Sequence, residues 1–184
     1  MTAPVTTART APAIEEIDAG AFPSAIPDLT RVLHACVHAG ASVNFILPFP
    51  EAEAEAFWTG KVAAAFARGK RRLWVGRGPD GRIAGCVMLD WDLTPNQTHR
   101  AEVTKMLVHP NARRMGLAAA LMDRLLTEAR AQGLRLLTLD TTPGSPAQTL
   151  YAQAGFEVAG SIPDFSRDPI ENRLEATTYM FRRL

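Results

Sequence analysis

The stretch HPNARRMGLAAALM, residues 109–122, sets two fixed positive charges, Arg113 and Arg114, just ahead of a glycine and a long apolar run. A helix that starts here leaves its first backbone N–H groups without partners, and no Ser, Thr, Asp or Asn stands at the start to accept from them. Free amides, the positive end of a helix dipole and the unencumbered backbone of Gly116 together make a pocket shaped for phosphate. Arg113, Arg114, Met115, Gly116, Leu117 and Ala118 are therefore candidate ligands of an anion carrying several oxygens, a diphosphate above all. Water on the amides and two solvated arginines would be the plainer outcome. What argues for a ligand is position, with a strand before, a turn at His109-Pro110, and a long apolar helix after.

That position depends on the flanking elements. RAEVTKMLV (100–108) reads as the preceding strand, with Glu102, Thr104, Met106 and Val108 on one face and Ala101, Val103, Lys105 and Leu107 on the other. From Gly116 to Gln132, Leu117, Leu121 and Leu125 recur beside Ala118, Met122, Leu126 and Ala129, which predicts an amphipathic helix ended by Gly133. LRLLTLDT (134–141) follows as a nearly continuous apolar strand, of the kind covered on both faces. Strand, helix, strand in this order is a βαβ unit with parallel strands and a right-handed crossover.

Upstream, residues 13–18 form a candidate strand, and PDLTRVLHACVHAG (27–40) a helix stopped by Gly40. A second helix starts at Pro50, with Glu51, Glu53 and Glu55 early, where the dipole favours carboxylates, and Gly60 interrupting its middle. RRLWVGR and RIAGCVMLDWD, joined by GPDG, form the clearest hairpin. SPAQTLYAQAGF makes a short helix ending near Gly155; FEVAGS and EATTYMFRR supply two last strands.

The 184 residues suit one domain, expected over 13–184, behind a loose Thr-, Ala- and Pro-rich segment over 1–12 that lacks the apolar block of a secretory signal. With 47% hydrophobic and 21% charged residues and a net charge of +1, the composition is that of an ordinary soluble protein. It carries no broad field for nucleic acid or an acidic membrane, so any anion site must be local. A cytoplasmic address is the simplest expectation. Cys36 and Cys86, about fifty positions apart, suggest neither a disulfide framework nor a thiolate metal site and read as small buried residues.

Arg113 to Ala118, RRMGLA, matches at every fixed position the pattern [RQ]-x-x-G-x-[GA] that marks the acetyl-coenzyme A site of the GCN5-related N-acetyltransferases, and LYAQAGF (150–156) resembles that family's recurring L-Y-x-x-x-G-F. The resemblance covers about residues 70–184, and the layout of the first third agrees with it. HAGASVNFI, HRAEVTKMLV and LDTTPGS are similar to the tabtoxin-resistance acetyltransferase group, which acetylates a small β-lactam amino acid toxin.

The resemblance implies a mixed α/β fold: a twisted sheet of six or seven strands, antiparallel in its first half and splayed between parallel strands in the middle, with helices on both faces. It implies acetyl-CoA as cosubstrate, no metal, and direct transfer to the amine of a small molecule, by a monomer or homodimer. Glu102 and Asp140 would then supply the base, directly or through water, although each also reads as the ion-pair partner of an arginine such as Arg100 or Arg135. Tyr151 falls at the family's usual acid, otherwise a core tyrosine. Met106, Leu107 and Val108 would offer backbone amides to the pantetheine arm, one of them serving as oxyanion donor. Where the family often has Asn, seven residues before the tyrosine, this chain has Gly144, with Ser145 next as a coenzyme contact.

Two other readings compete with the small-molecule enzyme: a non-catalytic acyl-CoA sensor or partner module, and an acetyltransferase of protein amino termini. No Gly-x-Gly-x-x-Gly or Gly-Lys-Ser/Thr motif points to other nucleotide folds. His34 and His38, spaced i, i+4, lack a third metal ligand nearby; His109 reads as a turn residue; Trp58 and Trp74 as core or rim aromatics; and Trp91 as either core or substrate wall.

Overall fold

A computed structural model describes residues 12–91 and 93–184. The expected loose segment over 1–12 lies, apart from its last residue, outside the described residues. Seven strands form one sheet in the order β1-β2-β3-β4-β5-β7-β6, where β1 is Ile14–Ile17, β2 Arg71–Arg77, β3 Ile83–Asp90, β4 Arg100–Val108, β5 Leu136–Thr141, β6 Glu157–Arg167 and β7 Leu174–Arg183. Every neighbouring pair is antiparallel except β4 and β5. That parallel pair is short: Arg100 faces Leu136, Ala101 Leu137 and Glu102 Thr138, after which pairing stops. The expected splay thus opens one residue beyond Glu102.

Each face of the sheet is covered by its own core. On one side α1 (Phe22–His38) and the rod formed by α2 (Glu51–Phe57) and α3 (Ala63–Ala67) bury Leu29, Leu33, Trp58, Leu73, Met88 and Leu107. On the other, α4 (Leu117–Ala131) and α5 (Pro146–Gln153) bury Leu121, Leu125, Trp74, Val87, Leu137 and Tyr151. Burying such Leu and Trp side chains is worth ~1.5–3 kcal/mol each, so the helices cannot leave the sheet cheaply.

Several local expectations change. The first helix starts at Phe22 rather than Pro27, because Pro23 occupies its first turn, where a missing N–H costs nothing. The second helix is interrupted by a π-helical turn, Trp58–Val62, containing Gly60. Strand β5 is not covered on both faces: Leu137 and Leu139 are buried, while on its second side Leu136 and Thr138 are half-buried and Asp140 is exposed. The first of the last two strands runs past 161 to Arg167, through Pro163, which an edge strand tolerates.

The largest change is in β4. Thr104 pairs with Met88 and Leu107 with Cys86, so three steps on β4 oppose two on β3, and Lys105 has φ +50°. This β-bulge reverses the alternation. Ala101 and Val103 share a face as expected, here the α4 side, but Lys105 and Leu107 leave it: Leu107 joins the α1 core and Lys105 points into a cavity on that same side, while Met106 and Val108 turn toward α4.

Candidate active site

Helix α4 begins where two glycines leave room for it. A Cβ on Gly76 would lie 2.3 Å from Leu117 Cδ1, and one on Gly85 2.8 Å from the Leu107 carbonyl and 3.1 Å from Leu117 Cδ2. Leu117 therefore seats directly on β2 and β3 and fixes the helix start at the end of β4. Gly116 is the N-cap, left-handed at φ +83°, with no side-chain cap. A Cβ there would meet nothing within 4 Å, so the conformation, not crowding, calls for glycine. Arg114 is left-handed too, at φ +64°. The first helical bond formed is from Ala120 N–H to Gly116 O, 3.1 Å. The amides of residues 114–119 have no protein acceptor among the described residues. Consecutive free amides at the positive end of a fifteen-residue helix fit a diphosphate. Arg113 folds back, its Nε donating to Val108 O at 3.3 Å, and braces the loop.

Where β4 leaves β5, the backbone of β4 faces a gap. His109 N–H is donated to Ala84 O of β3 at 2.8 Å, and alternation along the ladder then turns the amides of Val108 and Met106 toward the gap and that of Leu107 toward β3. A slender amide-bearing chain such as pantetheine could bond there as an added strand.

Around this gap the titratable groups collect. Glu102 shares a sheet face with Thr104, and its carboxyl is raised by burial, then by the Asp140 and Asp90 carboxylates, against the pull of Arg100 and Lys105. No ion pair holds it among the described residues, because Arg100 turns instead to Thr138 Oγ1 (3.1 Å) and Gln97 Oε1 (2.8 Å). Asp140 is exposed and accepts from Thr177 Oγ1 at 3.1 Å. Tyr151 comes from the opposite face, on α5; burial and then Asp140 raise its hydroxyl, which has no hydrogen-bond partner among the described residues. Burial lowers Lys105 to about 8, with Arg71 adding to the effect. Asp140 thus acts on Glu102, Lys105 and Tyr151 alike, and Glu102 and Lys105 act on each other.

Ser145 caps α5, its hydroxyl accepting from Gln148 N–H at 3.1 Å while Gln148 Oε1 accepts from Gly144 N–H at 2.6 Å. His109 behaves as a turn residue, its Nδ1 accepting from Asn111 N–H at 3.3 Å. Trp58 and Trp74 are core, and Trp91 packs against the α4 side. The His34 and His38 rings lie 4.0 Å apart, tilted by 35°, and among the described residues no three His, Cys, Asp or Glu are grouped to hold a metal. Cys36 and Cys86 are free and buried. No helix among the described residues is long and apolar enough to cross a membrane.

Sequence reasoning missed three residues beside Glu102. Arg71, Thr104 and Lys105 line a cavity of about 430 Å³ closed by Asn44 and Phe45 of the loop after α1 and by Phe57 of α2. Lys105 Nζ donates to Val43 O at 3.2 Å and lies over the Phe57 and Phe45 rings, 5.2 and 5.9 Å from their centroids. Only the bulge aims it there, and a bulge leaves no mark in the apolar periodicity.

Comparison with known proteins agrees with this geometry. An uncharacterized N-acetyltransferase of Azospirillum brasilense, from the hisH-hisA intergenic region, is 36% identical over 115 residues, 61% of this chain and 66% of that protein, so the match spans just under two thirds of the relative. Among solved structures, a phosphinothricin acetyltransferase from Sinorhizobium meliloti in complex with AcCoA superposes with TM-score 0.78 at 19% identity, covering 95% of this chain and 89% of that one. The structure of yncA from Salmonella typhimurium with its cofactor acetyl-CoA gives 0.73 at 20%, covering 95% of each. These two likenesses establish the fold. Residues 38–156, more than half of the chain, match the model of the acetyltransferase (GNAT) family, and the chain belongs to that family.

Proposed function

We propose that the protein moves an acetyl group from acetyl-CoA to the amine of a small molecule by direct transfer. The observation that carries the proposal is the junction of two unfilled backbone surfaces, the free amides of residues 114–119 and the β4–β5 gap, with Glu102 beside it. Residues 113–118 would hold the diphosphate and the Met106 and Val108 amides the pantetheine arm. When bound, acetyl-CoA supplies a thioester carbonyl open to an amine.

Glu102, whose raised carboxyl makes it a better base than a free carboxylate, takes the proton of the incoming ammonium, directly or through a water that Asp140 helps to order. The Val108 amide lies where the carbonyl oxygen gains charge. Tyr151 reaches the leaving sulfur from the other face. Its raised hydroxyl is a poor acid against a thiol of pKa ~8.5, so it stabilises the departing thiolate by hydrogen bonding, and the second nitrogen proton, released as the tetrahedral adduct collapses to amide, reaches the sulfur through solvent. A toxin-like amino acid acceptor, as in the tabtoxin-resistance group, is the finer form of this reading.

The test follows thiol release from acetyl-CoA over a panel of amines, amino acids and short peptides, with wild type and Tyr151→Phe. Turnover of small amines, slowed ~10-fold or more in the variant with coenzyme affinity unchanged, is expected. Turnover of peptides alone would favour an amino-terminal acetyltransferase. Coenzyme binding without turnover of any amine would favour a sensor.

A further inference from the structure

The cavity against Thr104 and Lys105 has a charge pattern that acetyl transfer by itself does not need. Its lining holds three cations, Lys61, Arg71 and Lys105, against the single carboxylate of Glu53, in a chain whose net charge is +1. Neither lysine has a carboxylate within ion-pair distance among the described residues. Arg71 gives one Nη to Asp90, but its Nε–H is buried with no acceptor, and the Thr104 hydroxyl beside it is equally buried and unpartnered. Lys105 spends one N–H on Val43 O and keeps two. Buried donors without acceptors cost ~1–3 kcal/mol each, so their gathering around one cavity points to a ligand rich in acceptor oxygens.

Phe45, Ala56, Phe57 and Met88 make the rest of the lining largely apolar. Such a cavity suits a small molecule with an anionic oxygen group at one end and a hydrocarbon body. At ~3.3 Å per residue along a strand, Thr104 and Lys105 stand within ~10 Å of Glu102. One compact molecule can therefore present an amine to Glu102 and an anion to Lys105.

We propose that this cavity is an anion subsite of the acceptor, in which Lys105, Thr104 and Arg71 Nε bind a carboxylate, so that the substrate is an amine carrying a carboxylate rather than a simple amine. The proposal rests on the acetyl-transfer reading for the amine but not for the anion, and the experiment separates the two. Thermal unfolding is recorded with 3-phenylpropionate and with the uncharged 3-phenylpropanamide, on wild type, Lys105→Met and Thr104→Val. The acid should raise the wild-type midpoint and the amide should not, and both variants should lose most of the acid's effect. Equal shifts from acid and amide, no shift from the acid, or an undiminished shift in Lys105→Met overturns the subsite.

In parallel, thiol release is measured on α-amino acids and their methyl esters. A kcat/KM at least 10-fold higher for the acids, lost in Lys105→Met mainly through KM, is expected. Amines acetylated equally well as acid and ester overturn the subsite and leave acetyl transfer standing. A carboxylate effect on the midpoint with no amine turned over supports the subsite and sinks acetyl transfer.

Discussion

Replacing Lys105 with methionine should make the protein more stable and less active. Burial holds the Lys105 ammonium down at about 8, against ~10.4 for a free lysine. At ~1.4 kcal/mol per pH unit that displacement is a charging penalty of roughly 3 kcal/mol at neutral pH. Methionine, of similar length and without charge, removes the penalty. It also removes the hydrogen bond to Val43 O, worth ~1 kcal/mol, and the two aromatic contacts to Phe45 and Phe57, worth ~1 kcal/mol together. The net gain is ~1 kcal/mol, or ~2–4 °C in the unfolding midpoint for a chain of this size. Urea unfolding at pH 7 and pH 9.5 checks both size and sign. The native lysine loses its proton near 8 whereas the unfolded one keeps it to ~10.4, so wild-type stability climbs between those values and the advantage of Lys105→Met shrinks. A variant less stable than wild type at pH 7, or an advantage that widens at pH 9.5, would refute the reasoning: the ammonium would then be well paired in the native protein and the cavity not a place of unmet charge.

Three further outcomes follow from the site. Gly116→Val forces a β-branched residue to φ +83° and should cost ~1–3 kcal/mol of stability while lowering coenzyme A affinity at least 10-fold, read by calorimetry; unchanged affinity would remove the helix start from the coenzyme site. Glu102→Gln should lower kcat/KM ~100-fold and flatten its acid limb. In wild type that limb lies above the ~4.3 of a free glutamate, because the raised carboxyl is active only once deprotonated and the rate falls as pH drops through it; an acid limb that persists in the variant belongs to another group. Gly76→Val places a side chain on Leu117 and should displace the start of α4, lowering both coenzyme affinity and stability, with a crystal structure of the variant as the check.

Much of the proposed coenzyme half of the site was legible because local rules write it. The missing cap, the glycine, the preceding strand and the apolar stripe of α4 all sit within about thirty consecutive residues, and the structure places Gly116 at the helix start with its neighbours' amides free. The hairpin at Asp80-Gly81 and the parallel pairing of β4 with β5 were legible for the same reason. The proposed acceptor half was legible only in outline. The loop around Ser42 to Phe45 and the helical rod after Pro50 do supply Asn44, Phe45, Glu53, Ala56, Phe57 and Lys61, but no single period connects them to Arg71, Met88, Thr104 and Lys105 of the sheet, and α1 gained a turn before Pro27 because the cost of an internal proline was outweighed by burying Phe22 and Ala25.

One inserted residue accounts for the rest. A strict alternation through β4 would put Lys105 on the α4 side, against Val87 and Leu121, where an ammonium has no acceptor and the core no room. The bulge turns it over at the cost of a left-handed φ, which for a residue with a Cβ runs to ~1–3 kcal/mol. The same turn brings Leu107 into the α1 core beside Met88 and Cys86 and leaves the Val108 and Met106 amides facing the gap. A single irregularity therefore couples the proposed anion subsite to the backbone that would hold the thioester. Glu102, the proposed base, two residues before the bulge, keeps its place in the last paired step of β4 with β5. If that is the bulge's role, deleting Lys105 should leave Thr104 opposite Met88 and Leu107 opposite Cys86, keeping a folded sheet, the Met106 and Val108 amides on the gap and coenzyme binding, while the preference for carboxylate-bearing amines is lost. A deletion variant that keeps that preference would show that the bulge does not serve the anion subsite.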